Sequence, residues 1–152
     1  MIKIKPKKII TICSSASFYK DVLEIEKKLK HLGYKVKIPK TANKMKKNGN
    51  FNVADYKTWY KNKDDYKKKR ALMDHHFKKV LEADAILVVN NEKNGIKGYV
   101  GGNALMEMTL AYHYKKPIFL WNEVIDKLSI AEEVHGLNPT IIEEDITKIK
   151  IK

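Results

Sequence analysis

The chain has very few of the residues that mark several common classes of protein. Its 152 residues include a single cysteine, Cys13, and a single arginine, Arg70. One cysteine cannot form a disulfide within the chain, nor can it supply the several thiolates of a structural zinc site, so both are excluded unless subunits share them. Cys13 lies in an apolar segment and is expected to be a buried thiol. Nothing else in the sequence implies a metal ion or a cofactor, and we expect neither.

Long apolar runs are also missing. No stretch approaches the ~20 consecutive apolar residues that a membrane span needs, and no apolar segment of a secretory leader follows the lysine-rich first residues. The sequence therefore predicts a cytoplasmic protein without a membrane partner. Hydrophobic residues make up 43% of the chain, which is enough to build the core of one domain spanning residues 1–152.

Positive charge is abundant, but it comes almost wholly from lysine. The net charge is +13, and the 31 basic residues include only one arginine. Recognition of base edges and bidentate binding of phosphate favour arginine, and these lysines are spread along the chain as on a solvated surface. We therefore do not expect specific binding of nucleic acid. A basic surface still raises the local concentration of small anions such as nucleotides.

Apolar strands alternate with amphipathic helices along the chain. Strands are predicted at 8–13, 34–38, 85–90, 117–121 and 140–142, and helices at 18–32, 64–82, 103–115 and 129–135. Strands separated by helices pair in parallel through right-handed crossovers. The predicted fold is a three-layer α/β domain with a Rossmann- or flavodoxin-like parallel sheet of about five strands. Residues 40–63 break the alternation and carry four aromatic residues, which predicts an insertion, partly helical near 53–61, that acts as a lid or a subunit contact.

A glycine-rich turn delivers the carboxylate of Glu107 to the start of an apolar helix. In open α/β sheets, ligands bind beyond the carboxyl ends of the strands, so this position favours chemistry. A helix N-terminus nearby would keep the carboxylate ionised at neutral pH. A glutamate that only complements the helix dipole is the simpler alternative. The predicted binding residues around this turn are Asn90, Gly101, Gly102 and Asn103, of which Asn103 alternatively caps the helix.

A second turn, rich in serine, follows the first strand. Ser14, Ser15 and Ser17 stand just before a predicted helix. Hydroxyl and backbone N–H groups at such a position suit a phosphate or a ribose, whereas ordinary N-capping is the alternative reading. Tyr19 is predicted to reach the same pocket or to cover the helix.

Three segments around the glycine turn resemble a known family. Ala83-Asp-Ala-Ile-Leu-Val-Val89 precedes the turn, Glu-Met-Thr-Leu-Ala-Tyr follows it at 107–112, and Lys116-Pro-Ile-Phe-Leu120 forms the next strand. Together they resemble the core pattern of the nucleoside 2-deoxyribosyltransferase superfamily, which includes the 2'-deoxynucleoside 5'-phosphate N-hydrolases. The resemblance follows the element order over residues 8–122, and its specific part covers about 83–120. Thr109 stands where the family pattern has glycine.

The resemblance implies roles for particular residues. In the family, the glutamate matching Glu107 attacks C1' of the deoxyribose, displaces the base and forms an ester that water or a second base resolves. His76, eight residues before Asp84, stands where the superfamily commonly has an aspartate that contacts the nucleophile and helps to protonate the base. Because histidine is readily poised between acid and base near neutral pH, we predict His76 as the general acid, with helix packing as the alternative. Gly101 stands where transferases often have an aspartate for the base.

These features predict an enzyme that cleaves the N-glycosidic bond of (deoxy)nucleoside 5'-monophosphates or nucleosides and releases the free base. Hydrolysis is favoured over transfer, because the serine turn suits a 5'-phosphate and the glycine turn lacks the transferase aspartate. A nucleoside 2-deoxyribosyltransferase and a non-catalytic nucleotide-sensing domain are the alternatives. We also expect a homodimer or larger assembly, because the chain has more aromatic surface than one small domain readily buries and resembles oligomeric enzymes.

Overall fold

The computed structural model describes residues 4–152, which contain five strands and five α-helices. The strands are β1 (Ile9–Ser14), β2 (Lys35–Lys37), β3 (Ala85–Val89), β4 (Ile118–Leu120) and β5 (Thr140–Ile141). The helices are α1 (Tyr19–His31), α2 (Lys40–Asn48), α3 (Tyr66–Glu82), α4 (Gly102–His113) and α5 (Ala131–Gly136). Within the described range, none of the helices has the length and apolarity that crossing a bilayer requires.

The five strands form one parallel sheet, in the order β2-β1-β3-β4-β5. This confirms the predicted three-layer α/β fold of the Rossmann or flavodoxin type. The chain moves outward from β1 to β2 on one side and from β3 to β5 on the other, so the strand order reverses between β1 and β3. Loops that leave the carboxyl ends of these two strands diverge and leave a crevice, which is where such sheets bind ligands.

The two faces of the sheet follow the two-residue period of its strands. In β1, Ile10 and Ile12 pack on the face covered by α1, whereas Cys13 points to the face covered by α3, α4 and α5. In β3, Leu87 packs on the face covered by α1, and Val88 packs on the opposite face. Alternate burial on both faces explains why the central strands read as continuous apolar runs. The same alternation determines which strand side chains contact α4, and Cys13 and Val88 are among them.

The segment predicted as an insertion at 40–63 is more regular than its sequence suggested. Helix α2 begins directly after β2 and Pro39, and 3-10 segments follow at Val53–Asp55 and Thr58–Tyr60. Only Ala42 and Met45 are buried in α2, so the apolar pattern is too sparse to reveal a helix. Gly49 ends α2 in the left-handed conformation, with φ of 65°.

Candidate active site

A cavity of about 350 Å³ opens beside the last residue of β1 and the loop that follows β3. It therefore lies at the switch point of the sheet. Eight of the ten predicted site residues line it: Ser14, Ser15, Tyr19, His76, Gly101, Gly102, Asn103 and Glu107. Ser17 and Asn90 do not.

Glu107 occupies a position where an apolar residue would be expected. Helix α4 turns a buried stripe toward the sheet, formed by Ala104, Met108 and Ala111, and Glu107 belongs to that stripe with only 6% of its surface exposed. The helix begins at Gly102, so the carboxyl group stands one turn inside it rather than at its first turn. A glutamate that merely complemented the helix dipole would be exposed at the N-terminus, which disfavours the capping alternative.

Burial decides the protonation state of Glu107. Removal from water raises the pKa of this carboxyl to about 8, while the Cys13 thiol and the Lys69 ammonium group lower it by smaller amounts. The sequence-based expectation of an ionised carboxylate is therefore wrong for this structure. The helix dipole acts within the first turn, whereas Glu107 lies deeper and loses its hydration.

His76 lies beside Glu107, although the two residues come from different helices. Nε2 of His76 is 3.8 Å from Oε2 of Glu107 and donates a hydrogen bond to the carbonyl oxygen of Ile12 at 3.0 Å. Burial lowers the pKa of His76 to about 4, with a further contribution from Lys79 and an opposing one from the bond to Ile12. The imidazole is thus neutral at pH 7, and its pKa is not poised near neutral pH as the sequence suggested. Neutral histidine beside a protonated carboxyl avoids the cost of a buried ion pair.

The Cys13 thiol completes a buried trio with His76 and Glu107. One ligand atom from each of the three lies within 4.8 Å of the others, which is a spacing that one metal ion can bridge. Thiol, imidazole and carboxyl groups are the donors that zinc accepts. Two features oppose metal binding: burial raises the pKa of Cys13 well above its usual value, and Nε2 of His76 is committed to Ile12. Sequence reasoning missed this trio because it considered only sites built on several cysteines.

The serine turn forms hydrogen bonds within itself and one to a lysine of the loop after β3. The hydroxyl of Ser14 donates to the carbonyl of Ser15 at 2.9 Å. The hydroxyl of Ser15 accepts from the backbone N–H of Ser17 at 3.4 Å, as an N-cap, and from Nζ of Lys93 at 3.2 Å. Ser15 is thus both a helix cap and a cavity residue that positions an ammonium group. Ser17 is exposed and takes part through its backbone.

Asn90 stabilises the glycine turn through hydrogen bonds and does not line the cavity. It is fully buried, donates to the carbonyls of Gly98 and Asn122 at 3.2 and 2.8 Å, and accepts from the N–H of Asn122 at 2.7 Å. Gly98 is required in this arrangement, because its φ is +67° and an added Cβ would stand 2.0 Å from the carbonyl oxygen of Glu123. Asn103 faces the cavity, and the N-cap of α4 is Gly101, so the proposed capping role of Asn103 is wrong.

Four lysines of the cavity could not be picked out from the sequence. Lys40, Lys57, Lys69 and Lys93 line it, and they come from four separate segments. Nothing local distinguishes these residues from the other lysines of the chain. The insertion also contributes aromatic walls: Trp59 is buried, and Nζ of Lys69 lies 5.6 Å from the centre of its ring.

Comparisons with known proteins give no family assignment. No model of a known protein family matches this chain, and no curated protein matches it.

Proposed function

We propose that this protein cleaves the N-glycosidic bond of (deoxy)nucleoside 5'-monophosphates or nucleosides, with Glu107 as the nucleophile. The observation that carries the proposal is a buried carboxyl group, in the apolar stripe of α4, that lines the cavity next to His76. A structural role gives little reason to retain a carboxyl at such a position. Groups with strongly shifted pKa values in a cleft mark functional sites more often than packing sites.

The first step replaces one bond at the sugar by another. Glu107 gives up its proton, and a carboxylate oxygen forms a bond to C1' as the C1'–N bond breaks. The electron pair of that bond leaves with the base, which takes up one proton. The transition state carries positive charge on the sugar, and a carboxylate below the anomeric carbon stabilises it.

The second step regenerates the enzyme. Water adds to C1' of the sugar ester, the ester bond breaks, and Glu107 returns as a carboxyl group. Overall, one water molecule is consumed, and one base and one sugar or sugar phosphate are released. Burial lowers the pKa of His76 to about 4, so a neutral imidazole lies beside the carboxyl group, 3.8 Å from Oε2, and is not charged to supply the proton at pH 7.

The serine turn supports a phosphorylated substrate. Ser14 and Ser15 line the same cavity as Glu107, and Lys93 is hydrogen-bonded to Ser15. A 5'-phosphate held there would place the ribose between the turn and α4. A transferase would use the same first step and pass the sugar to a second base.

A non-catalytic nucleotide sensor is the second candidate. It is favoured by the raised pKa of Glu107, because a protonated carboxyl can donate a hydrogen bond to a ribose hydroxyl without attacking C1'. The two candidates make different predictions for turnover, although both predict binding.

Release of free base is the decisive measurement. The protein is incubated with a panel of deoxynucleoside and ribonucleoside 5'-monophosphates and the matching nucleosides, and the products are separated by chromatography. Glu107→Gln should abolish release, whereas Glu92→Gln, which removes an exposed carboxyl from the loop before α4, should not. Binding without release from any substrate would contradict the glycosidase and favour the sensor.

We also propose that the protein forms a homodimer or larger assembly. Met106, Tyr112 and Tyr114 are exposed on or just after α4, and Leu81 is exposed on α3, which packs against α4. Large apolar side chains left exposed on a small domain favour a subunit contact. Both tryptophans of the described chain, Trp59 and Trp121, are buried and contribute nothing to this surface.

A further inference from the structure

We propose that the cavity prefers ligands with two or more linked phosphates, and that the substrates of the proposed reaction extend to nucleoside diphosphates and triphosphates, which are used more efficiently than monophosphates or free nucleosides. Binding of the linked phosphates follows from the lysines described below. Their assignment to a nucleotide substrate rests on the proposed function.

Three ammonium groups converge on the cavity from separate parts of the chain. Lys57 comes from the segment between α2 and α3, Lys69 from the first turn of α3, and Lys93 from the loop after β3. Each is only partly exposed. Among residues 4–152, none of the three takes part in a salt bridge. Partly buried ammonium groups without carboxylate partners are costly unless a bound anion compensates them.

The three ammonium groups line one cavity and are close enough to repel one another. Burial lowers the pKa of Lys57, of Lys69 and of Lys93, and the charge of Lys57 lowers the pKa of the other two further. Lys57 is therefore close to both. Lys93 in turn is hydrogen-bonded to Ser15, and the charge of Lys69 acts on Glu107. The cations thus extend from the serine turn toward the carboxyl group on the wall formed by α4.

The number of positively charged side chains in the cavity favours a ligand with more than one phosphate. A phosphate monoester carries about −2 at neutral pH, and a free nucleoside carries none. The exposed Lys40 joins Lys57, Lys69 and Lys93 at the rim. Of the acidic residues in the described part of the chain, Glu107 alone lines the cavity, and burial raises its pKa to about 8. A monophosphate held by Ser15 and Lys93 would leave the repulsion at Lys57 and Lys69 largely uncompensated. A linked diphosphate or triphosphate is long enough to reach these cations, and its negative charges compensate their mutual repulsion.

The first experiment measures binding without chemistry. Inorganic phosphate, pyrophosphate and tripolyphosphate are titrated into the protein by calorimetry at equal ionic strength. We expect the dissociation constant to fall roughly tenfold with each added phosphate, as for one further charge-assisted hydrogen bond. Lys57→Met and Lys93→Met should remove most of this gain. Lys97→Met, which removes an exposed lysine from the same loop as Lys93, is the matched control.

Equal affinity for the three anions would overturn the inference, as would a gain that Lys97→Met reduces as much as Lys57→Met does. The second of these results would mean that only the general positive field of the chain is acting.

A second experiment separates this inference from the proposed function. Base release is compared for a nucleoside and its mono-, di- and triphosphates, with kcat/KM expected to rise along the series in the wild type and to level off in Lys57→Met. Release that is fastest from the monophosphate, together with equal affinity for the three anions, would refute the inference and leave the glycosidase intact. Graded binding of the anions with no base release from any nucleotide would refute the glycosidase and leave the phosphate site intact.

Discussion

Replacing Glu107 by glutamine should stabilise the protein, and more so as the pH rises. A carboxyl whose pKa is about 8 in the folded state and 4.5 in its ordinary state binds its proton more tightly when folded. Between these two values the unfolded chain loses the proton and the folded chain keeps it. Stability must therefore fall as the pH increases through this window, and it levels off above pH 8.

The size of the effect follows from the pKa difference. Each pH unit inside the window costs about 1.4 kcal/mol of unfolding free energy, so the wild type should lose roughly 3 kcal/mol through Glu107 between pH 5 and pH 7.5. Glutamine has nearly the same shape and does not ionise. The advantage of Glu107→Gln over the wild type should accordingly grow by that amount over the same range.

Urea unfolding followed by tryptophan fluorescence can measure this difference, because Trp59 and Trp121 are both buried. All other groups titrate in both proteins, so their contributions largely cancel in the comparison. Glu92→Gln serves as the control and should give an unfolding profile close to that of the wild type. A Glu107→Gln protein that is less stable than the wild type at pH 7.5, or a difference that does not change with pH, would refute the reasoning about burial.

Three further predictions concern activity, acid stability and assembly. If Glu107 must ionise to attack, kcat/KM should rise about tenfold per pH unit between pH 6 and pH 7.5, whereas a decline above pH 6.5 would mean that His76 acts as the acid after all. His76→Gln should lose less stability than the wild type on going from pH 7 to pH 5, because a histidine whose pKa is lowered to about 4 in the folded state destabilises the protein once the unfolded chain takes up the proton. His75→Gln, which changes the exposed neighbour, is the control in urea unfolding, and an equal response of both variants would contradict the burial argument. Light scattering at micromolar concentration should give at least twice the 17.6 kDa of one chain, and Tyr112→Lys should shift it toward the monomer; a wild-type mass of 17.6 kDa would exclude the assembly.

Most elements could be placed in order and type from the sequence. Short continuous apolar runs mark β1 and β3, because both faces of these strands are buried. The period of 3.6 residues marks α1 and α3, because each helix buries one side. The sequence also singled out Glu107 and the serine turn, since polar residues that follow apolar strands stand out locally. Helix α2 escaped this reasoning because Ala42 and Met45 alone form its buried face.

The electrostatics of the candidate site arise only in the folded chain. The raised pKa of Glu107 depends on how much water the surrounding helices exclude, and a residue's neighbours in sequence do not report that. The convergence of Lys57, Lys69 and Lys93 depends on the crossovers that bring three distant segments to one cavity. Asn90 was predicted to contact the ligand and instead supports the glycine turn, because the position of β4 brings Asn122 within hydrogen-bonding distance. Local patterns specify elements, whereas burial and charge at a site arise from contacts between residues far apart in the chain.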